Sequence, residues 1–195
     1  LAFAAQLRPY GAQEENRMPR ITAEDSTLLI IAMQDGVLPH VDDGAGLLAT
    51  AERLASAALA LNVPVVISEH CPVNMGPTAA SLRALLAPAL PLPKTSFNAC
   101  AESGFLSHVA SPSVVVAGCE AHVCVLQTVL GLIEAGRRVH VVADGVAARQ
   151  PGNRDCALQR MAAHGADIVT AEMVIFEWLG DAYLHEPATA FSVVR

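Results

Sequence analysis

The stretch that decides the fold is Val114-Val115-Val116-Ala117-Gly118-Cys119-Glu120-Ala121-His122-Val123-Cys124-Val125. A β-branched run ends at Gly118, a short turn follows, and a helix is predicted to open with Cys124 in its first turn. A thiol at that position lies at the positive end of the helix macrodipole, which favours the thiolate. The N–H groups of the same turn lack partners within the helix and are available to hold an oxyanion.

Apolar runs alternate with helical patterns along the rest of the chain. The predicted strands are Thr27–Met33, Pro64–Ser68, Leu92–Ser96, Ser113–Gly118, Arg138–Ala143 and Asp167–Thr170. The predicted helices are Gly46–Leu61, Thr78–Leu86, Glu102–Ala110, His122–Ala135, Asn153–His164 and Ala171–Leu179. Continuous apolar strands are typical of a parallel sheet that is covered on both faces. The pattern predicts a Rossmann-like three-layer α/β/α sandwich with six parallel strands and a site at their carboxyl ends.

Length and composition favour one domain. The chain has 195 residues, of which 53% are hydrophobic and only 4% are aromatic, so the core must consist of Ala, Val, Leu and Ile. Residues 1–20 are polar and aperiodic, and Met18 lies within them as a candidate natural start. We therefore predict an N-terminal extension over 1–20, for which a native and a non-native origin both stay open, and a single domain over 21–195.

Charge and cysteine usage exclude several classes of function. The net charge is −7 and no Lys/Arg cluster occurs, which argues against nucleic acid or an anionic membrane as partner. No apolar run approaches the ~20 residues that a membrane-spanning helix needs. The five cysteines form no CxxC pair, and the N-terminus lacks the apolar centre of a signal peptide. These features predict a reducing, cytoplasmic location.

Two residues could carry chemistry. Cys124 is a candidate nucleophile, although a free cysteine also packs well as a small buried helix residue. Lys94 follows Leu-Pro-Leu-Pro, so the chain before it is extended. A lysine at a strand end is usually solvated, but beside a thiol its charge would favour the thiolate.

At this point the chain resembles the isochorismatase-like cysteine hydrolase superfamily, from about Leu28 to the C-terminus. The segments that carry the resemblance are Leu29–Gln34, Lys94–Phe97, Gly118–Val125, Arg138–Gly145 and Gly165–Glu172. The segment Ser68–Thr78, which reads Ser-Glu-His-Cys-Pro-Val-Asn-Met-Gly-Pro-Thr, is most similar to the isochorismatase-domain-containing branch.

The resemblance implies an Asp–Lys–Cys triad with Cys124 as nucleophile and Lys94 as the lysine. The aspartate would fall at Ala32, where the strand-end Asp-x-Gln of the family reads Ala32-Met33-Gln34. Alanine can neither accept the thiol proton nor return it to the leaving group. Three explanations remain open: an engineered substitution that traps a ligand, a natural pseudoenzyme, or replacement by another carboxylate such as Asp35 or Glu120.

The resemblance also implies the remaining parts of the site. A cis peptide bond would join Cys119 and Glu120, and the N–H groups of Glu120 and Cys124 would form the oxyanion hole. Gln34, Phe97 and Glu120 would contact the substrate. Nicotinamidase-like relatives carry an Asp-x-His metal motif after the second strand, which Ser68–Pro72 lacks, so we predict no metal and no cofactor. True isochorismatases lack the nucleophilic cysteine, so Cys124 argues against isochorismate as the substrate.

The sequence thus predicts a cofactor-free hydrolase of a small amide or other C–N bond, impaired by Ala32. The alternative is a non-catalytic ligand-binding or interaction protein on the same fold. The resemblance implies a homo-oligomer, a dimer or higher. The last predicted helix supports this because it is apolar on more than one face, although the segment Ala188–Val194 could equally fold back over it.

Overall fold

The computed structural model describes residues 20–181, and its centre is a parallel β-sheet. Six strands in this part of the chain pair in the order β3-β2-β1-β4-β5-β6. They are β1 (Ser26–Ile31), β2 (Val65–His70), β3 (Leu92–Lys94), β4 (Ser113–Cys119), β5 (Arg138–Ala147) and β6 (Asp167–Val169). Every neighbouring pair is parallel, which confirms the predicted sheet.

Helices connect the strands. The α-helices of residues 20–181 are α1 (Gly44–Ala60), α2 (Pro72–Met75), α3 (Ala80–Leu85), α4 (Phe105–His108), α5 (Leu126–Glu134), α6 (Pro151–Ala163) and α7 (Ala171–Leu179). A π-helical turn over Ala121–Val125 leads directly into α5. Cys124 therefore lies in a widened turn rather than in the first turn of a regular α-helix.

Two apolar layers cover the sheet, one on each face. Alternate residues of β1 point to opposite sides: Leu28 and Ile30 pack with α1, α3 and α7, whereas Leu29 and Ile31 pack with α4, α5 and α6. All four side chains are completely buried. The burial on both sides explains why β1 reads as an unbroken apolar run, and it confirms the three-layer sandwich.

The strand order reverses direction between β1 and β4. From β1 the chain builds outward through β2 and β3, and then crosses back to begin β4 on the other side of β1. Such a switch point leaves a crevice at the carboxyl ends of the two strands, where ligands bind in open α/β sheets. Gly118 lies opposite Ile31 at φ +146°, and a Cβ there would collide with the Ile31 carbonyl oxygen. Glycine therefore lets the two strand ends approach closely.

Some expectations fall at the limits of the described chain. The predicted extension over 1–20 and the segment Ala188–Val194 lie outside the described residues, apart from Arg20. Across residues 20–181, no helix combines the length and the apolar character that crossing a bilayer requires.

Candidate active site

Cys124 and Lys94 meet at the carboxyl edge of the sheet, although 30 positions separate them in the chain. Lys94 ends β3, and its Nζ lies 3.4 Å from the Cys124 Sγ. Only 3% of Lys94 and 5% of Cys124 is exposed. A buried ammonium against a buried thiol is costly to maintain without compensating contacts, so this pair is a candidate functional centre.

The Lys94 ammonium is saturated by three acceptors. Besides the thiol, it donates to the carbonyl oxygens of Ser96 at 3.0 Å and Phe97 at 3.3 Å. An ammonium has three N–H donors, so all of them have partners. Within residues 20–181 no carboxylate forms an ion pair with Lys94. The group is thus held by carbonyl dipoles and sulfur rather than by a countercharge.

The loop that supplies these carbonyls is fixed by side chains from other elements. The Glu102 carboxylate accepts hydrogen bonds from the N–H groups of Thr95 and Ser96, both at 2.8 Å. These contacts lower the pKa of Glu102. The Thr128 hydroxyl on α5 donates to the Phe97 carbonyl at 3.3 Å. The backbone around Lys94 is therefore set before any ligand enters.

Burial decides the protonation of Cys124. Removal from water raises the pKa of the Cys124 thiol, and the nearby Lys94 charge and hydrogen bond only partly offset that rise. The Glu120 and Cys71 groups raise this pKa further. The net effect is a raised pKa, which favours the neutral thiol. The helix start and Lys94 predicted a thiolate instead, and that prediction differs because desolvation outweighs the favourable charge.

Position 32, where the resemblance implies an aspartate, holds an alanine in a left-handed conformation. Ala32 has φ +50° directly after β1. Its N–H donates to the Ser68 carbonyl at 2.8 Å, and its own carbonyl accepts from the Cys119 thiol at 3.2 Å. Asp35, a possible substitute, is exposed in the following turn. No carboxylate is thus supplied to Lys94 from this strand end.

Glu120 is committed to an ion pair. The Cys119–Glu120 peptide is cis, as the resemblance implies. The Glu120 carboxylate accepts from the Arg149 guanidinium, with Nη2–Oε1 at 2.6 Å and Nε–Oε2 at 2.9 Å, and from the Arg149 N–H at 3.0 Å. These hydrogen bonds hold the pKa of Glu120 below its usual value. Glu120 therefore lines the site as an anion already paired.

The two other predicted substrate contacts differ in their surroundings. Gln34 is fully buried, and its amide is used by the backbone: it donates to the Gly76 carbonyl at 2.6 Å and accepts from the His70 N–H at 2.7 Å. Phe97 is 45% exposed, and its ring lies 4.9 Å from the His70 ring. Phe97 is thus open to a ligand, whereas the Gln34 side chain joins β1 to β2.

Sequence reasoning assigned no role to His70, because a lone histidine is more often structural or on the surface. His70 is the last residue of β2 and pairs in register with Lys94. Its Nδ1 is buried and has no hydrogen-bond partner within residues 20–181. Burial and the Lys94 charge lower the pKa of His70, and a backbone hydrogen bond at Ser96 partly opposes them. The available signal was its position at a strand end of the sheet.

A metal centre and a cavity elsewhere in the fold are the alternatives to this site. Within residues 20–181 no group of three or more His, Cys, Asp or Glu side chains could hold a metal ion. An open cavity of about 340 Å³ lies at the carboxyl end of β5, where Asp42, Asp144 and Arg154 line it. Its lining contains neither Cys124 nor Lys94 and no other cysteine, so the Cys124 site is the better candidate.

Comparison with known proteins identifies the family. A model of the isochorismatase domain matches residues 26–173. Isochorismatase domain-containing protein 2 of Danio rerio is 34% identical over 166 residues, which are 84% of this chain and 83% of that protein. The structure of the MAR1 ribonuclease from Caenorhabditis elegans has a TM-score of 0.85 at 30% identity, covering 90% of this chain and 92% of that one.

A more distant structure shares the fold. The YcaC gene product from Escherichia coli, described as an octameric hydrolase of unknown specificity, has a TM-score of 0.81 at 23% identity and covers 96% of this chain and 91% of its own. The family match, the relative of similar length and the shared architecture agree with the resemblance that the motifs indicated. The chain belongs to the isochorismatase family.

Proposed function

We propose that the chain is a cofactor-free hydrolase that cleaves a small amide or related C–N bond through a thioester on Cys124. The observation that carries the proposal is the contact of 3.4 Å between the Lys94 ammonium and the Cys124 thiol at the switch point of the sheet. A cation beside a thiol favours the thiolate, which is the nucleophilic form of cysteine, and here the cation is Lys94. Membership of a hydrolase family supports the same reaction class.

The reaction divides into two steps. The Cys124 sulfur attacks the carbonyl carbon and forms a C–S bond as its S–H bond breaks, while the carbonyl oxygen becomes negative and the thiol proton passes to the leaving nitrogen. The N–H groups of Glu120 and Cys124 would hold this oxygen, and the Lys94 ammonium would stabilise the developing charge. Collapse of the adduct breaks the C–N bond and releases the amine with a proton. Water then cleaves the thioester, which releases the acid and restores the thiol.

Exposed apolar side chains follow β2 and β3 at the carboxyl edge of the sheet, and they favour a small organic substrate. Phe97 is half-exposed and the helix after β2 presents Val73 almost entirely to solvent. Arg149 follows β5 at the same edge, but its guanidinium is paired with Glu120. With a net charge of −7 and no basic cluster in the sequence, we propose a small molecule rather than RNA as the substrate.

Ala32 favours a second candidate, a ligand-binding protein on the same fold. An aspartate at this position would accept and return protons, and general acid–base catalysis of this kind contributes roughly 10²–10⁴-fold. We propose that the alanine slows turnover to that extent. The left-handed backbone at φ +50° suits aspartate or asparagine better than most residues, so either can replace Ala32 without moving the strand end.

A panel of small aliphatic and aromatic amides tests the proposal. We expect slow hydrolysis by the natural chain, about 10²-fold faster hydrolysis by Ala32→Asp, and none by Cys124→Ser. Ala32→Asn is the matched control, since it has the same shape without a base and should stay at the original rate. Binding of amides without turnover by both the natural chain and Ala32→Asp would favour the ligand-binding protein.

A further inference from the structure

The proposed reaction leaves one requirement unmet, which is a group to carry the proton. A thiol whose pKa is raised by burial is neutral at rest, so it must lose its proton as the sulfur attacks. Position 32 offers only a methyl group, Asp35 is exposed, and Glu120 is paired with Arg149. Resting on the proposed function, we propose that His70 is the proton carrier of this site.

The backbone register brings His70 to the reacting groups. His70 on β2 and Lys94 on β3 are direct partners in the parallel ladder, so their side chains project from the same face of the sheet. The Lys94 Nζ lies 3.4 Å from the Cys124 sulfur and 3.3 Å from the Phe97 carbonyl. The Phe97 ring in turn lies 4.9 Å from the imidazole. The Ser96 backbone contacts both groups, since it accepts from the Lys94 ammonium at 3.0 Å and hydrogen-bonds to the imidazole. The imidazole therefore lies beside the ammonium that contacts the thiol.

The imidazole is held in place from two directions. The Gln34 amide accepts from the His70 N–H at 2.7 Å and donates to the His70 carbonyl at 3.2 Å, which fixes the backbone. The Phe97 ring packs against the imidazole at a tilt of 31°. The buried Nδ1 has no partner within residues 20–181, although buried polar atoms are normally paired. An unpaired nitrogen on a fixed ring is available for proton transfer.

Burial and the Lys94 charge together keep the imidazole neutral. Lys94 on β3 is the cation that acts on the ring, and together with burial it lowers the pKa of His70. On the neighbouring elements, Glu69 is bound to the Thr78 N–H and hydroxyl, and Glu120 is bound to Arg149. Burial raises the pKa of the Cys124 thiol, so this group adds no negative charge at neutral pH. A neutral imidazole has one nitrogen able to accept a proton, so at neutral pH His70 is a base.

His70 would carry one proton through both steps of the reaction. As the Cys124 sulfur bonds to the carbonyl carbon, the S–H bond breaks and the proton passes to the imidazole nitrogen, giving imidazolium. When the C–N bond breaks, the imidazolium gives this proton to the departing nitrogen and becomes neutral again. In the second step the imidazole takes a proton from the attacking water and returns it to the Cys124 sulfur.

His122 is the competing imidazole. It lies two residues before Cys124 in the π-helical turn, and its Nδ1 is also buried without a partner within residues 20–181. Its charge, however, acts on the Glu120 carboxylate and lowers that pKa, which places it near the ion pair with Arg149. The pairing with Lys94 distinguishes His70, so His122 serves as the alternative in the test.

The experiment measures the rate at which iodoacetamide alkylates Cys124, and this reaction needs no known substrate. The pH runs from about 5.5 to about 9.5, a range that includes the ordinary pKa values of imidazole and thiol. The proteins are the natural chain, His70→Gln, His122→Gln and His164→Gln, where His164 is exposed on the far end of α6. We expect His70→Gln to slow alkylation about tenfold near pH 7. The rates should converge at alkaline pH, where the thiolate forms without a base. The same rates in deuterium oxide should show a solvent isotope effect that His70→Gln abolishes.

Amide hydrolysis provides the second readout. His70→Gln should lower kcat/KM about 10²-fold in the natural chain, but have little effect in the Ala32→Asp background, where the carboxylate takes over. That rescue also shows that His70→Gln folds. Equal alkylation profiles for His70→Gln and His164→Gln, or a loss confined to His122→Gln, would overturn the proposal. Absence of amide hydrolysis by Ala32→Asp would count against the proposed function alone, because the alkylation profile reports proton transfer separately.

Discussion

At the scale of single residues, the pair of Lys94 and Cys124 is the main result. The sequence predicts both residues, and the structure brings them to 3.4 Å. Burial raises the pKa of the Cys124 thiol, and the Lys94 charge lowers that pKa by a smaller amount. Removing the charge should therefore leave a thiol that is even harder to ionise.

We expect Lys94→Met to slow alkylation of Cys124 about tenfold at pH 8, since each unit of pKa changes the thiolate fraction tenfold. Methionine keeps the length of the side chain and removes the ammonium. The exposed Cys156 on α6 is an internal reference whose alkylation should not change. Mass spectrometry of peptides after brief labelling gives the ratio of the two sites, and an unchanged ratio would mean that Lys94 does not act on the sulfur.

The other site residues show where sequence reasoning stops. The motif places Glu120 beside the nucleophile, but its partner Arg149 is 29 residues away and joins it only through the pairing of β4 with β5. Gln34 reads as a substrate contact, whereas its amide bonds to the backbone after β2. Such contacts depend on loop geometry, which no local pattern encodes.

At the scale of elements, type and order were predictable and boundaries were less so. β1 stops at Ile31 rather than Met33, because Ala32 turns left-handed. The predicted helix Glu102–Ala110 is only Phe105–His108, since Gly104 is left-handed at φ +80° before it, and the Glu102 carboxylate binds the backbone of Thr95 and Ser96. Both departures occur at the carboxyl edge of the sheet, where the site forms and side-chain contacts override helix and strand propensity.

The pairing of β5 with β6 predicts a pH dependence of stability. His140 is buried opposite Asp167, its Nδ1 3.2 Å from the carboxylate. Burial lowers the pKa of His140, and Asp167 only partly restores it. The folded state therefore resists protonation more than the unfolded chain does. The contribution of neutral His140 to the free energy of unfolding is fully present above the pKa of histidine in the unfolded chain, about 6.5. It is lost as the pH falls from there through the lower pKa of the folded state.

We expect the free energy of unfolding to decrease between pH 7 and pH 5, and His140→Asn to reduce that decrease. Urea unfolding at several pH values measures it. His164→Asn is the control, because that ring is exposed on the end of α6 and should leave the pH dependence as it is. An identical slope in His140→Asn would show that other groups are responsible.

At the scale of the whole molecule, helix α7 carries apolar side chains on its outer side as well as on the side that faces the sheet. In α7, Val174 and Trp178 are buried against the sheet, while Met173 and Phe176 are 46% and 51% exposed. The sequence pattern in α7 and the exposed pair therefore both favour assembly.

We expect light scattering at micromolar concentration to give a mass above that of the 20.4 kDa chain. Phe176→Lys should lower the mass if α7 lies in the interface, because a buried lysine without a partner is costly. Leu59→Lys, at an equally exposed apolar position on α1, is the matched control. A mass of one chain for the natural protein would refute the oligomer.

The left-handed turn at Ala32 also has a consequence for the gene. Every alanine codon lies one nucleotide from a codon for an acidic residue. The backbone at φ +50° already has the left-handed conformation, which aspartate adopts more readily than most residues. A single base change could thus place a carboxylate beside the lysine and the cysteine with no rearrangement of the fold. The site therefore lacks one carboxylate that a single mutation would supply, and the left-handed turn makes that mutation compatible with the present backbone.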